Sequence, residues 1–154
     1  MILIRETIEE DILDIYKNIH EPYVKKYCNN IKIEWENHKK WYNFLINSDS
    51  YLLFTILDAE TNEFYGYVKF ELEKEIAIIS IYLIPNMRHR GYGEKIISLS
   101  IEELKAKYPK VSIVLAYILE ENIASKSTFK HLGFSYDGTD DYKGIEHLLY
   151  IKFI

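Results

Sequence analysis

One stretch constrains this chain more than any other. Residues 76–84 are almost wholly apolar and rich in isoleucine, and Pro85 stops them, so they read as a buried strand. Beyond them Ile96, Ile97, Leu99, Ile101 and Leu104 fall on helical spacing until Tyr108-Pro109. Arg88-His89-Arg90-Gly91-Tyr92-Gly93 must therefore lie in a strand-to-helix turn. Glycine lets a backbone approach a ligand closely, and the first N–H groups of a helix have no internal partners and carry the positive end of its dipole. Such a turn binds anions. The two arginines and the histidine add charged donors, which suits a diphosphate.

Other glycine-rich turns fit less well. The chain has no Gly-x-Gly-x-x-Gly and no Gly-Lys-Ser/Thr, which disfavours a dinucleotide fold and a nucleotide-hydrolysing loop. A plain glycine-capped turn leaves the basic triplet unexplained.

At 154 residues the chain reads as a single domain, 1–154, with enough length for a substantial core. No apolar run approaches a membrane span and the N-terminus lacks a signal-peptide pattern, which together lead to an expected cytoplasmic location. Cys28 is the only cysteine, so a disulfide within the chain and a cysteine-built metal cage are excluded, and no metal is expected. A net charge of −5 argues against nucleic acid as a partner, the basic turn being a local exception suited to one anionic cofactor. The 14 tyrosines are mostly half-buried strand residues, with some free to stack or donate beside a cleft.

Taken in order, residues 2–5 form a short strand, and Thr7 with Glu10 looks like a helix start whose apolar face is Ile8, Ile12, Ile15 and Ile19. Glu21-Pro22 ends it; Tyr23 to Ile33 is ambiguous, with Asn29-Asn30 a turn. A second helix spans Glu34 to Ile46. Tyr51 to Leu57 and Phe64 to Leu72 form a hairpin, and Glu75 to Ile84 continues the meander. After the long helix come a strand from Val111 to Ile118, a helix capped by Asn122 and stopped by Gly133, and a last hairpin of Phe134 to Tyr136 and Ile145 to Phe153 across Asp137 to Gly144.

Arg88-x-x-Gly91-x-Gly93 after an apolar strand resembles the acetyl-CoA signature of the GNAT N-acetyltransferase superfamily. A second segment strengthens the match: Asn122-Ile123-Ala124-Ser125, then Phe129, then Leu132-Gly133-Phe134, similar to the family's Asn-x-x-Ala/Ser…Gly-Phe helix. The resemblance covers about Ile2 to Ile154. It implies an α/β (α+β) fold with a mixed, mostly antiparallel sheet of six or seven strands, about four flanking helices, and a splay between the fourth and fifth strands. It also implies acetyl-CoA as donor, a small-molecule amine as acceptor, and a monomer or homodimer. The implied cofactor contacts are Leu83, whose neighbouring N–H holds the thioester carbonyl, together with Arg88, His89, Arg90, Gly91, Tyr92, Gly93, Glu94, Asn122 and Ser125. Asn122 is equally a helix cap.

Acetyl transfer to an amine needs two proton events, loss from the ammonium and gain by the departing thiolate. By resemblance the usual base falls at Ala77 and the usual acid at Phe129, and neither moves a proton. Glu75, two residues from Ala77 and on the same strand face, is the nearest replacement base, with Glu71, Glu73 and His20 behind it. Tyr82 and Tyr117 are the candidate acids. For the acceptor, His38-Lys39-Lys40-Trp41-Tyr42 resembles the His-x-x-Trp-Phe element of relatives that acetylate nucleotide-linked amino sugars, which makes His38, Trp41 and Tyr42 candidate substrate contacts. Helix packing is the competing role for these aromatics. Protein N-terminal, small-amine or polyamine acetylation is the second enzymatic reading. A non-catalytic acyl-CoA sensor is the third.

Overall fold

The computed structural model describes residues 1–19 and 34–154. His20, Cys28, the Glu21-Pro22 break and the Asn29-Asn30 turn lie outside them. The strands are β1 (Ile2–Glu6), β2 (Tyr51–Asp58), β3 (Phe64–Glu73), β4 (Ile76–Leu83), β5 (Ile113–Ile118), β6 (Ser135–Tyr142) and β7 (Ile145–Phe153), and they form one sheet in the order β1-β2-β3-β4-β5-β7-β6. The helices are α1 (Ile12–Ile19), α2 (Trp35–Ile46), α3 (Tyr92–Lys107) and α4 (Ile123–His131).

Alternation along the strands sorts side chains onto two faces. Val68, Phe70, Ala77, Ile79, Val114 and Ala116 point to the face covered by α3 and α4, where Ile96, Ile97, Leu104 and Phe129 complete the main core. On the other face Ile12, Ile15, Tyr42, Leu45 and Leu53 form a smaller core beneath α1 and α2. Ile8, expected on the apolar face of the first helix, is exposed.

Thr7 does not cap that helix. Its hydroxyl bonds Thr55 Oγ1 at 2.9 Å and its N–H bonds the Leu53 carbonyl, so it belongs to the sheet. Asp11 serves the helix start instead. Its carboxylate accepts the Ile8 N–H at 2.9 Å, a two-pronged contact from Arg5 at 2.7 and 2.9 Å, and the Thr55 hydroxyl at 2.9 Å.

Helix α4 ends as its sequence predicts. Gly133 is left-handed at φ 88°, its N–H bonds the Lys130 carbonyl, and the Phe134 N–H reaches back to the Phe129 carbonyl. The Phe129 and Phe134 rings meet edge-on at 4.9 Å across this stop. The final hairpin departs from expectation: Asp137 to Tyr142 continue β6, and the turn shrinks to Lys143-Gly144, both left-handed. Polar composition hid this strand because β6 is an edge strand with most of its residues in water.

Candidate active site

Strands β4 and β5 are parallel neighbours over only three register pairs, Ile76 with Ile113, Ala77 with Val114 and Ile78 with Leu115. Beyond these, Ile79–Leu83 and Ala116–Ile118 diverge and leave a gap in the middle of the sheet. The Ile84 N–H bonds the Tyr65 carbonyl on β3, so alternation turns the amides of Leu83 and Ile81 the other way, toward the gap. The Leu83 carbonyl faces it too, and there it accepts Arg88 Nε at 2.8 Å. The Arg88 guanidinium also lies 5.4 Å from the centre of the Tyr82 ring.

The turn between β4 and α3 holds two left-handed residues, His89 at φ 60° and Gly91 at φ 79°. The first is a conformation that non-glycine residues adopt rarely and at a cost, and the second is the N-cap of α3. No side chain caps this sixteen-residue helix, so the first N–H groups, at Tyr92, Gly93 and Glu94, have no capping acceptor. Arg90 donates to the Asn86 carbonyl at 2.9 Å and lies 5.9 Å from the Tyr92 ring centre. Gly93 is the test of fit. Its backbone is ordinary, and an added Cβ would meet only Thr128 Cγ2, at 3.8 Å, so nothing within the chain requires glycine there. A bulky anion lying against the amides would require it.

The second segment stands beside the first. Asn122 caps α4 through its Oδ1, which accepts the Ser125 N–H at 3.2 Å, leaving only its Nδ2 hydrogens for a ligand. Glu94 Oε1 pairs with His131 Nδ1 at 2.8 Å and ties α3 to α4.

Several expected roles change. Glu75 sits in the turn between β3 and β4, where its carbonyl accepts the N–H groups of Ser112 and Ile113. That is the closed end of the β4–β5 pair, about 26 Å along the strand from Leu83 at 3.3 Å per residue. Glu75 thus precedes the first diverging residue, Ile79, by four positions, and Glu73, paired with Ile76, lies at the same closed end. Ala77 and Phe129 are main-core residues. Tyr82 is buried, stacks on Tyr67 at 5.8 Å, and donates its hydroxyl to Asn18 on α1 at 3.0 Å.

The proposed acceptor element resolves into packing. His38 is fully buried, stacked on Tyr42 at 4.3 Å and met by the edge of Tyr16 at 4.9 Å. Burial pushes the Tyr42 hydroxyl up to about 12, against a smaller downward pull from a Tyr67 hydrogen bond. Trp41 is half exposed and stacks with Phe44 on the outside of α2. The helical period thus carries His38 and Tyr42 into the packed side of α2 and Trp41 to its exposed side.

Sequence reasoning missed the group that does face the gap. Tyr142, the last residue of β6, lies flat on Tyr117 of β5, with ring centres 4.4 Å apart and planes 2° from parallel. Its hydroxyl donates to Glu71 Oε2 on β3. Tyr117 lies 3.5 Å from Asp140, and the ring of His147 meets both tyrosines edge-on. Burial raises the Tyr117 hydroxyl above its usual range, as do the charges of Asp140 and Glu71.

A sheet half-open between β4 and β5, with a basic, uncapped helix start at the mouth of the opening, is the framework of the candidate site. The acetyltransferase (GNAT) domain model matches residues 2–135, and the chain belongs to that family. Its fold recurs in a domain from Methanocaldococcus jannaschii DSM 2661, at 23% identity over 100% of this chain and 99% of that one, with a TM-score of 0.82. It recurs in spermidine N-acetyltransferase from Vibrio cholerae in complex with CoA and spermine, at 15% identity, 99% and 95% coverage and a TM-score of 0.85. Aminoglycoside acetyltransferase AAC(6')-Ib in complex with coenzyme A gives 14% identity, 99% and 95% coverage and a TM-score of 0.83. No curated protein sequence matches the chain significantly. Among the described residues no helix is long and apolar enough to cross a membrane, and no cluster of His, Cys, Asp and Glu is arranged to hold a metal ion.

Proposed function

We propose that residues 1–154 act as one catalytic domain that transfers an acetyl group from acetyl-CoA to the primary amine of a small cationic molecule, by direct attack in a ternary complex. The observation that carries this reading is the gap itself, with Arg88 and the uncapped end of α3 at its mouth and an aromatic, acidic floor on the α1–α2 face. The donor's diphosphate would lie on the amides of Tyr92, Gly93 and Glu94 with Arg88, His89 and Arg90 around it, and Asn122 and Ser125 along its arm. The gap-facing N–H groups of β4 stabilise charge on the thioester oxygen as the amine attacks.

The acceptor reading moves away from nucleotide-linked amino sugars. His38 and Tyr42 are core residues, and the charges that act on Tyr117 are the carboxylates of Asp140 and Glu71, which attract an ammonium group and repel a diphosphate. Coenzyme A thiol release measured with spermidine, kanamycin, an N-terminal peptide and a nucleotide-linked amino sugar tests this, with Gly91→Arg as the inactive control. Saturable release with a cationic amine is the expected result. Release with the nucleotide-linked sugar alone would restore the earlier reading, and coenzyme A binding with no release from any amine would make the domain a sensor.

A further inference from the structure

Tyr142 and Glu71 belong to strands on opposite sides of the opening. In the sheet order β3-β4-β5-β7-β6, three strands, β4, β5 and β7, separate β6 from β3, so a contact between them has to pass over the sheet face. The end of the β6–β7 hairpin therefore curls across the sheet and sets the Tyr142 ring above the gap, with Tyr117 of β5 beneath it and Ser80 of β4 hydrogen-bonded to its hydroxyl. A surface tyrosine with only a packing role has no need to cross the one unpaired seam of the sheet.

We propose that Tyr142 and Glu71 form the proton route of the reaction, Tyr142 meeting the acceptor amine and Glu71 taking up the proton behind it; this rests on the amine acetyltransferase reading above. The acceptor ammonium passes one proton to the Tyr142 oxygen while the Tyr142 hydroxyl proton moves to the Glu71 carboxylate, which releases it to water. The amine lone pair then forms the C–N bond and the carbonyl electrons move to oxygen, held by the gap-facing N–H groups. The carbonyl re-forms, the C–S bond breaks, and sulfur leaves with its electron pair. The second amine proton, acidified by the new bond, goes to that sulfur through the Tyr142 or Tyr117 hydroxyl. The products are the amide, the coenzyme A thiol and one proton in solution, so charge and atoms balance.

The surroundings suit a relay. Burial and the Glu71 carboxylate hold the Tyr142 hydroxyl far above its ordinary range, with the Ser80 hydrogen bond pulling weakly the other way, so Tyr142 gives up one proton only as it gains another. Other titratable groups facing the pair are Lys143 in the β6–β7 turn, whose Nζ lies 5.1 Å from the centre of the Tyr142 ring, Lys69 on β3, Tyr51 opposite Glu71 on β2, Tyr117 on β5, Asp140 on β6 and His147 on β7. The pair also accounts for a catalyst that lacks a carboxylate at Ala77 and a hydroxyl at Phe129.

The test is the pH profile of kcat/KM for the full chain, using spermidine or whichever amine of the panel the wild type turns over fastest. Glu71→Gln and Tyr142→Phe are expected to lose about a hundredfold or more near pH 7. The deficit should narrow as pH rises toward about 10, where a substantial fraction of an alkylamine is already neutral and needs no base. Coenzyme A affinity should stay within about threefold, and Glu71→Asp should recover part of the rate; this second variant decides the matter if Glu71→Gln folds poorly. Wild-type turnover with variants that keep their rate, or that carry a deficit independent of pH, overturns the relay alone. A wild type that binds coenzyme A and acetylates no amine overturns the acetyltransferase reading and the relay with it.

Discussion

Arg88 Nε donates to the carbonyl of Leu83 at 2.8 Å, so the arginine of the turn is braced on the last residue of the strand that lines the gap. This contact fixes the guanidinium at the mouth of the opening before any ligand arrives, which reduces the ordering cost of binding.

Arg88→Met should therefore separate binding from folding. We expect the dissociation constant for coenzyme A, measured calorimetrically, to rise about tenfold or more, as a lost charge-assisted contact of about 1.5–3 kcal/mol implies. The thermal midpoint should move little, because the side chain is only half-buried.

Two glycines should respond in opposite ways to alanine. At Gly93 the added methyl has ordinary space, so stability should hold or rise slightly while coenzyme A affinity falls. At Gly66 a Cβ would lie 2.1 Å from the Tyr82 carbonyl oxygen, and the strand must shift. Gly66→Ala should cost about 1–3 kcal/mol in denaturant melts.

Asp11 supplies a pH dependence. Burial raises its carboxyl, but the Arg5 contacts, the Ile8 N–H and the Thr55 hydroxyl together lower it below its usual 3.8. The unfolded chain thus binds a proton before the folded one does, so this network stabilises the protein above that value and fails as the pH falls through the lower folded value. Stability should drop with acid below about pH 4 in the wild type and more weakly in Asp11→Ala. The substitution should cost about 2–3 kcal/mol at pH 7, less than for a fully enclosed pair because Arg5 keeps contact with water.

The aromatic cluster of α2 is a test of packing against binding. His38→Ala should cost about 2–5 kcal/mol through the cavity it leaves between Tyr16 and Tyr42, while Trp41→Ala, on the exposed side, should cost under about 1 kcal/mol. Neither should raise KM for the acceptor in protein that remains folded. A selective rise in KM with Trp41→Ala would return that residue to the substrate site.

The turn from Ile76 to Gly93 was readable from sequence because three local signals agree there: a continuous apolar run, a proline stop, and glycines ahead of a helical period. The Asn122 cap and the Gly133 stop were readable for the same reason, each being a local backbone requirement met by a local residue. Thr7 misled because a hydroxyl that fits a cap fits a neighbouring strand equally well, and Thr55 is 48 residues away in sequence. Glu75 could be placed near Ala77 by strand parity, but its position at the closed end of the β4–β5 pair depends on the β3–β4 turn and the Ser112 and Ile113 contacts, which are not local. Tyr142 escaped notice because its partner Glu71 is 71 residues distant and its own strand is polar. Pairings of that range are written in topology and leave no period behind.

The three register pairs between β4 and β5 have one more consequence. Among the described residues they are the only ladder joining the half-sheet β1-β2-β3-β4 to the half-sheet β5-β7-β6. The proposed donor, seated between the diverging strands, would stand where further rungs are missing, and so would serve as a strand as well as a reactant. Attraction for such a donor would in this sense be attraction between two halves of the protein, and each release of coenzyme A would remove part of the framework that holds the halves in register.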